Sequence, residues 1–194
     1  MKLTGAQIAG GNPSGGRTKN DFYATNPKAL KMLLRVYDDF GEDILEPCVG
    51  KGHLAKVLEK YGATVTCLDL VDRGYPNTIV KDFLMFNTKH RYDSVITNPP
   101  YSLAKEFVEK SLQLVKPGGK VAMFLKIQFL ESKKRRRLFE EHPPKYIYVF
   151  TERMATWNRG KKVDENGKPW STTMCHAWFI WEKGSKSEPI IRWL

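Results

Sequence analysis

Cysteine is scarce in this 194-residue chain: Cys48, Cys67 and Cys175 are the only three. Their number is odd and their spacing does not suit metal ligation, so no metal is expected. Cys67 falls in an apolar strand-like run and reads as a small core residue. Cys48 sits in a glycine-containing loop where small size matters more than thiol chemistry. No apolar run is long enough to span a bilayer. The opening Met1-Lys2-Leu3-Thr4-Gly5 has no apolar signal core, so the expected location is the cytoplasm. Acidic residues are the other shortage: 21 Asp and Glu stand against 32 Lys and Arg, a net charge of +11. A chain this basic is drawn to polyanions, and nucleic acid is the expected partner. Composition alone leaves open a basic surface with no anionic ligand. Apolar (41%) and charged (27%) residues are present in ordinary amounts, which suits a soluble globular domain with a proper core.

Residues 1–20 hold six glycines or prolines among small polar residues, a flexible arm ahead of a single domain over 21–194. Apolar spacing predicts helices over 27–40, 53–60, 103–115 and 132–141. Short β-branched or apolar runs predict strands at 43–46, 63–69, 78–80, 94–97, 120–125, 145–150 and 174–181. Pro117-Gly118-Gly119 reads as a turn. A polar, basic loop is inserted near 153–173, with Asp164-Glu165-Asn166-Gly167 as its solvent-facing turn. Alternating strands and helices indicate a three-layer α/β fold with a mostly parallel sheet. The last two strands have no helix between them and are expected to pair antiparallel.

Asn98-Pro99-Pro100-Tyr101 follows the run Tyr92–Thr97. Two prolines cannot continue a sheet, since each lacks an N–H and has a fixed φ. The strand must stop at Asn98, and a rigid turn must pass over its carboxyl end, where ligands bind in open α/β sheets. The turn offers a carboxamide, carbonyl oxygens and an aromatic ring, a set suited to a flat group bearing an amine. Glu46-Pro47-Cys48-Val49-Gly50-Lys51-Gly52 joins the first strand to a helix. Its glycines permit close backbone approach and φ > 0, and Glu46 can accept hydrogen bonds from an ammonium group. Asp69 ends the second strand, where a carboxylate can accept ribose hydroxyls; Asp72 is a weaker alternative. Asp82 and Phe83 follow the third strand and could take the amine and the ring face of an adenine. Each acid alone also suits a turn, but their placement at successive strand ends points to one shared ligand.

These elements resemble the S-adenosylmethionine-dependent amino-methyltransferases, and among them the small DNA N6-adenine methyltransferases of phage and prophage type. Asp21-Phe22-Tyr23-Ala24-Thr25 is similar to the family's element that precedes the glycine loop and closes over the methionine part of the cofactor. The order of these elements is similar to the gamma arrangement. The resemblance covers roughly residues 20–183. It implies a Rossmann-like class I methyltransferase fold, with a mostly parallel seven-stranded sheet, an antiparallel last strand and helices on both faces. It implies S-adenosylmethionine as cofactor, held by Phe22, Tyr23, Thr25, Glu46, Pro47, Gly50, Gly52, Asp69, Asp82 and Phe83. It also implies methylation of adenine N6 in DNA by Asn98, Pro99, Pro100 and Tyr101. In that reading the Asn98 oxygen and the Pro99 carbonyl accept the amine hydrogens, and Tyr101 stacks on the base. A target inside a duplex must be flipped out, at a cost of a few kcal/mol.

The remaining cations are candidate nucleic-acid contacts. In Lys133-Lys134-Arg135-Arg136-Arg137, helical neighbours point about 100° apart, so at most three could face one partner, and a solvated helix face is as good a reading. The loop carries Arg153, Arg159, Lys161, Lys162 and Lys168 with Trp157 and Trp170, a mixture suited to phosphate contacts and base stacking. Other readings are methylation of an RNA base or of a protein glutamine, or a non-catalytic nucleic-acid-binding module.

Overall fold

The computed structural model describes residues 23–158 and 160–194, and the backbone alone at Asn158. The expected arm over 1–20, Phe22 and Arg159 lie outside the described residues.

The first helix, α1 (Pro27–Leu34), starts on an Asn26 N-cap whose side chain accepts from the Lys28 N–H, with Pro27 at the first position. Its apolar face buries Ala29, Leu30, Leu33 and Leu34. It ends six residues before the predicted 40. Phe40 folds back into the core, while Tyr37 leaves the helical stripe to pack on Tyr146 and Tyr148. Strand β2 (Asp43–Glu46) follows, then α2 (Ala55–Lys60), β3 (Thr64–Asp69), β4 (Ile79–Val80) and β5 (Tyr92–Thr97). Next come α3 (Ala104–Leu114), β6 (Val115–Lys126), α4 (Arg136–Glu141), β7 (Tyr146–Val149), β9 (His176–Glu182) and β10 (Ile190–Trp193). Two further strands, β1 (Tyr23–Ala24) and β8 (Trp157–Asn158), form a separate antiparallel pair.

The main sheet has eight strands in the order β10-β7-β9-β6-β5-β2-β3-β4. β9 runs antiparallel between β6 and β7, and the other pairings are parallel. The expected pairing of the two strands flanking the basic loop is therefore present. The expected strand count of seven is corrected to eight: β10 adds to the edge beside β7, so the antiparallel strand is not the last. The predicted turn at 117–119 lies inside β6, where the pairing jumps from Tyr92↔Val115 to Ser94↔Lys120 and Gly118 and Gly119 exchange backbone hydrogen bonds with Lys183.

The strand sequences explain the three layers. Side chains alternate across a strand, and here both parities are apolar, as expected for strands covered on both faces. Leu45, Val95, Val121, Met123, Phe179 and Trp181 pack with Phe107, Val108 and Leu112 of α3 and Leu138 of α4. Ile44, Ile96, Ala122, Phe124, Trp178 and Ile180 pack with Leu30, Leu33 and Leu34 of α1 and Leu58 of α2 on the opposite face. Trp178 is fully buried and donates its indole N–H to the Ala29 carbonyl at 3.0 Å, fixing α1 to the sheet. Burial of each such large apolar side chain contributes about 1.5–3 kcal/mol. This packing fixes the carboxyl rim of β2, β3 and β5, from which the glycine loop, Asp69 and the Asn98 turn depart. No helix among the described residues is long and apolar enough to cross a membrane.

Candidate active site

A narrow cleft opens at that rim, lined by Tyr23, Ala24, Thr25, Glu46, Cys48, Val49, His53, Leu54 and Asn98. The sequence reading named Tyr23, Thr25, Glu46 and Asn98, and the fold brings all four together. It did not single out Val49, His53 or Leu54, whose role as lining follows only from their place where the glycine loop turns into α2.

The glycine loop is shaped by its left-handed residues. Gly50 has φ 57° and Gly52 φ 74°, a region that non-glycine residues seldom enter. A Cβ on Gly52 would lie 2.0 Å from the Tyr75 ring, so this position excludes a side chain twice over. The loop is tied to the end of β3: the Gly50 N–H donates to Asp69 Oδ2 at 2.9 Å, and the Val71 N–H donates to Oδ1 at 3.0 Å. Arg73 stands 3.7 Å from the same Oδ1. Asp69 is thus held rigidly at the strand end, 8% exposed, with lone pairs to spare on both oxygens.

Glu46 ends β2 and is only 1% exposed, and its Oε2 has no hydrogen-bond partner among the described residues. Burial pushes its carboxyl well above the usual range, against the pull of the Ala55 N–H at the start of α2. A cation seated beside it would restore the carboxylate. Cys48 is kept as a thiol, because burial raises its pKa far above the ordinary value. That removes it as a nucleophile. The Thr25 hydroxyl, buried in the same cleft, also has no partner among the described residues.

Asn98 follows β5, and Pro100 leads into a 3₁₀ turn over Tyr101–Leu103. The Asn98 Nδ2 donates to the Tyr23 carbonyl at 3.1 Å, and its buried Oδ1 has no partner among the described residues. The carboxamide is therefore held with its oxygen available as an acceptor. Tyr101 is half-buried, with its hydroxyl covered and without a partner among the described residues. Burial raises its pKa, so it stays protonated. The Lys126 ammonium lies over its ring, 5.2 Å from the centroid.

Asp82 and Phe83, just beyond β4, divide. Asp82 is exposed and caps a 3₁₀ turn by accepting from the Leu84 N–H. Phe83 is 2% exposed and stacked at a tilt on Phe107, inside the core. Pro47 sits in the turn between β2 and the glycines.

Of the candidate nucleic-acid contacts, Arg135 is engaged locally. Its guanidinium donates to the carbonyls of Phe129, Gln128 and Glu131 and stacks over the Phe129 ring. Arg136 and Arg137 pair with Glu140 and Glu141 one helical turn on. The run is not one continuous helix, since Lys133–Arg135 form a 3₁₀ turn before α4. Lys133 and Lys134 are exposed. In the loop, Lys161 and Lys162 are exposed. Lys162 lies 5.7 Å from the Trp157 ring centroid, and Trp157 meets His53 edge-on at the cleft. Trp170 donates to the Lys161 carbonyl. The expected turn is formed by Asp164–Gly167, closed by a Val163↔Pro169 bridge.

The strand order and the rim-sited glycine and acidic loops define a Rossmann-like methyltransferase fold. Among solved structures similar to this chain is a presumptive class I S-adenosylmethionine-dependent methyltransferase of Listeria monocytogenes (TM-score 0.54, 14% identity, 86% of this chain and 61% of that one). An S-adenosylmethionine-dependent O-methyltransferase of Thermotoga maritima is also similar (0.55, 19%, 84% and 67%). So is a presumptive RNA methyltransferase of Pyrococcus horikoshii (0.58, 16%, 80% and 82%). No family model matches the chain, and no curated protein matches it.

Proposed function

We propose that this protein is an S-adenosylmethionine-dependent methyltransferase acting on adenine N6 in nucleic acid, with DNA as the substrate. The observation that carries this reading is Asn98: its NH₂ is committed to the Tyr23 carbonyl, which leaves a buried oxygen acceptor in the same cleft as Glu46 Oε2 and the Thr25 hydroxyl, which have no partner among the described residues. That donor set fits the cofactor. Glu46 would take its ammonium group, the Gly50–Gly52 backbone would admit its chain, and Asp69 would accept its ribose hydroxyls. Asp82 and Phe83 would border its adenine.

When bound, S-adenosylmethionine supplies a methyl group on a positively charged sulfur. The chain's own residues act on the acceptor. An adenine amine is a poor nucleophile because its lone pair is delocalised into the ring. Asn98 Oδ1 and the Pro99 carbonyl accept its two hydrogens, draw the nitrogen toward tetrahedral geometry and stabilise the positive charge that develops there. The two prolines hold these acceptors fixed, so little reorganisation is needed as the reaction proceeds. Tyr101 bears on the base. The exposed cations Lys133, Lys134, Lys161 and Lys162, with Arg153, attract the polyanion.

RNA adenine is the second reading, favoured by the likeness to the Pyrococcus horikoshii protein. Expression in a host free of DNA methylation, followed by nucleoside mass spectrometry of its DNA and RNA, separates the two. N6-methyldeoxyadenosine is expected. N6-methyladenosine in RNA alone would transfer the activity to RNA, and no methylated base in either pool would overturn the reading.

A further inference from the structure

Beside the Asn98–Tyr101 turn lies a second group of polar side chains, of which the methyl-transfer reading uses only Arg153, as a general attractor of the polyanion. Lys126 ends β6, and His176 begins β9. The antiparallel ladder sets these two directly opposite each other. Arg153 follows β7, the other neighbour of β9, and its guanidinium donates to Cys175 Sγ, next to His176 in the chain. All three stand at the same rim of the sheet as Asn98. Lys126 and His176 both border Tyr101: the Lys126 ammonium lies over its ring, and the His176 ring centroid is 6.2 Å away.

The cluster is built rather than incidental. His176 is 4% exposed and stacked on Phe124 at 4.8 Å, so its ring cannot swing into solvent. Its Nδ1 is buried with no partner among the described residues. A buried polar atom without a partner is costly to the fold. Lys126 and Arg153 add two positive charges that repel a proton on the imidazole.

We propose that Lys126, Arg153 and His176 form a subsite for the phosphate of the nucleotide whose base enters the Asn98–Tyr101 turn. This rests on the reading of that turn as the acceptor-base site. It specifies the acceptor as a phosphate-bearing nucleotide and excludes a neutral side-chain amide. A phosphate accepts from the Lys126 ammonium and the Arg153 guanidinium as charge-assisted hydrogen bonds. Its negative charge also favours the imidazolium form of His176, which then supplies a further donor. The subsite would also select for flipped nucleotides, because only an extruded base brings its own phosphate to the rim.

The test is a titration of the full chain, containing S-adenosylmethionine, with deoxyadenosine 5′-monophosphate and with deoxyadenosine. The His176 ring protons are followed by NMR and the affinity by calorimetry. The monophosphate is expected to bind at least about tenfold more tightly and to shift the His176 resonances, with the nucleoside shifting them little. In the Lys126→Ala/Arg153→Ala double variant the two ligands should bind alike, and Lys126→Arg should retain the preference. Equal binding by the wild-type protein, or a preference that survives in the double variant, overturns the subsite. Calorimetry with S-adenosylmethionine alone reports separately on the cofactor site, so a failure there is distinguishable from a failure here.

Discussion

The Asn98 side chain donates to the backbone carbonyl of Tyr23 at 3.1 Å, although 75 positions separate the two residues. This bond decides which end of the carboxamide faces the cleft. Asn98→Ala removes the acceptor while leaving the Glu46, Gly50 and Asp69 elements in place. Methyl transfer, measured by tritium incorporation into DNA, should fall about 10²–10³-fold or more, the scale seen when one preorganised polar group is removed from a transition-state site. Affinity for S-adenosylmethionine by calorimetry should change little. Turnover close to wild type would remove Asn98 from the chemistry.

Glu46→Gln separates stability from binding. The folded protein holds the Glu46 proton to a higher pH than the unfolded chain does. Its contribution is therefore neutral well below the ordinary pKa of 4.5 and becomes destabilising as pH rises through and above that value. The glutamine variant should be the more resistant to urea at pH 8, with its advantage shrinking toward pH 4. Its affinity for S-adenosylmethionine should nevertheless drop sharply. A variant that binds the cofactor normally would show that Glu46 does not meet the ammonium.

Gly52→Ala should destabilise through two separable causes. The left-handed φ alone costs about 1–2 kcal/mol, and the new methyl overlaps the Tyr75 ring. Pairing it with Tyr75→Ala relieves only the overlap. The double variant should then be less damaged than the sum of the two single variants in urea unfolding. Strict additivity would show that Tyr75 does not constrain the loop.

His176 gives a pH dependence of opposite sign to Glu46. Burial, then the nearby Lys126, lowers its pKa from 6.5 to about 4, and Arg153 adds to the repulsion. Between those values the unfolded chain binds a proton that the folded chain refuses. Stability from this residue is full above pH 6.5, declines as pH falls toward 4 and then levels off, a loss of about 3 kcal/mol. His176→Phe should flatten that part of the profile when unfolding is compared at pH 7.5, 5.5 and 4.5. Parallel profiles for the two proteins would exclude the residue as the source.

Most of the sheet was legible because its strands are covered on both faces and so read as nearly unbroken apolar runs, as in Val121–Leu125 and Ala177–Trp181. The stop at Asn98 was legible for a different reason, the absent N–H groups of Pro99 and Pro100. β10 was not, since all four of its residues are exposed and no apolar alternation marks them. Nor was the β1–β8 pair, because two residues at each end of a 134-residue interval leave no local period. Lys126 and His176 were passed over for the same reason: their meeting is a matter of ladder register, which emerges only when β9 is threaded between β6 and β7. The α1 boundary was misplaced because Tyr37 keeps helical spacing in sequence but finds its partners on β7.

The short ladder joining Tyr23–Ala24 to Trp157–Asn158 ties a strand that lines the cleft to the basic loop, two regions given separate duties in the proposed reaction. One carries the residues assigned to the donor molecule, and the other carries the aromatic and cationic side chains assigned to the acceptor. Few bonds hold a two-residue ladder, so on the proposed reading a molecule that parted it would alter the surface met by the other. Such influence would be reciprocal at equilibrium, and the apparent affinity of either reactant would then depend on the concentration of the other.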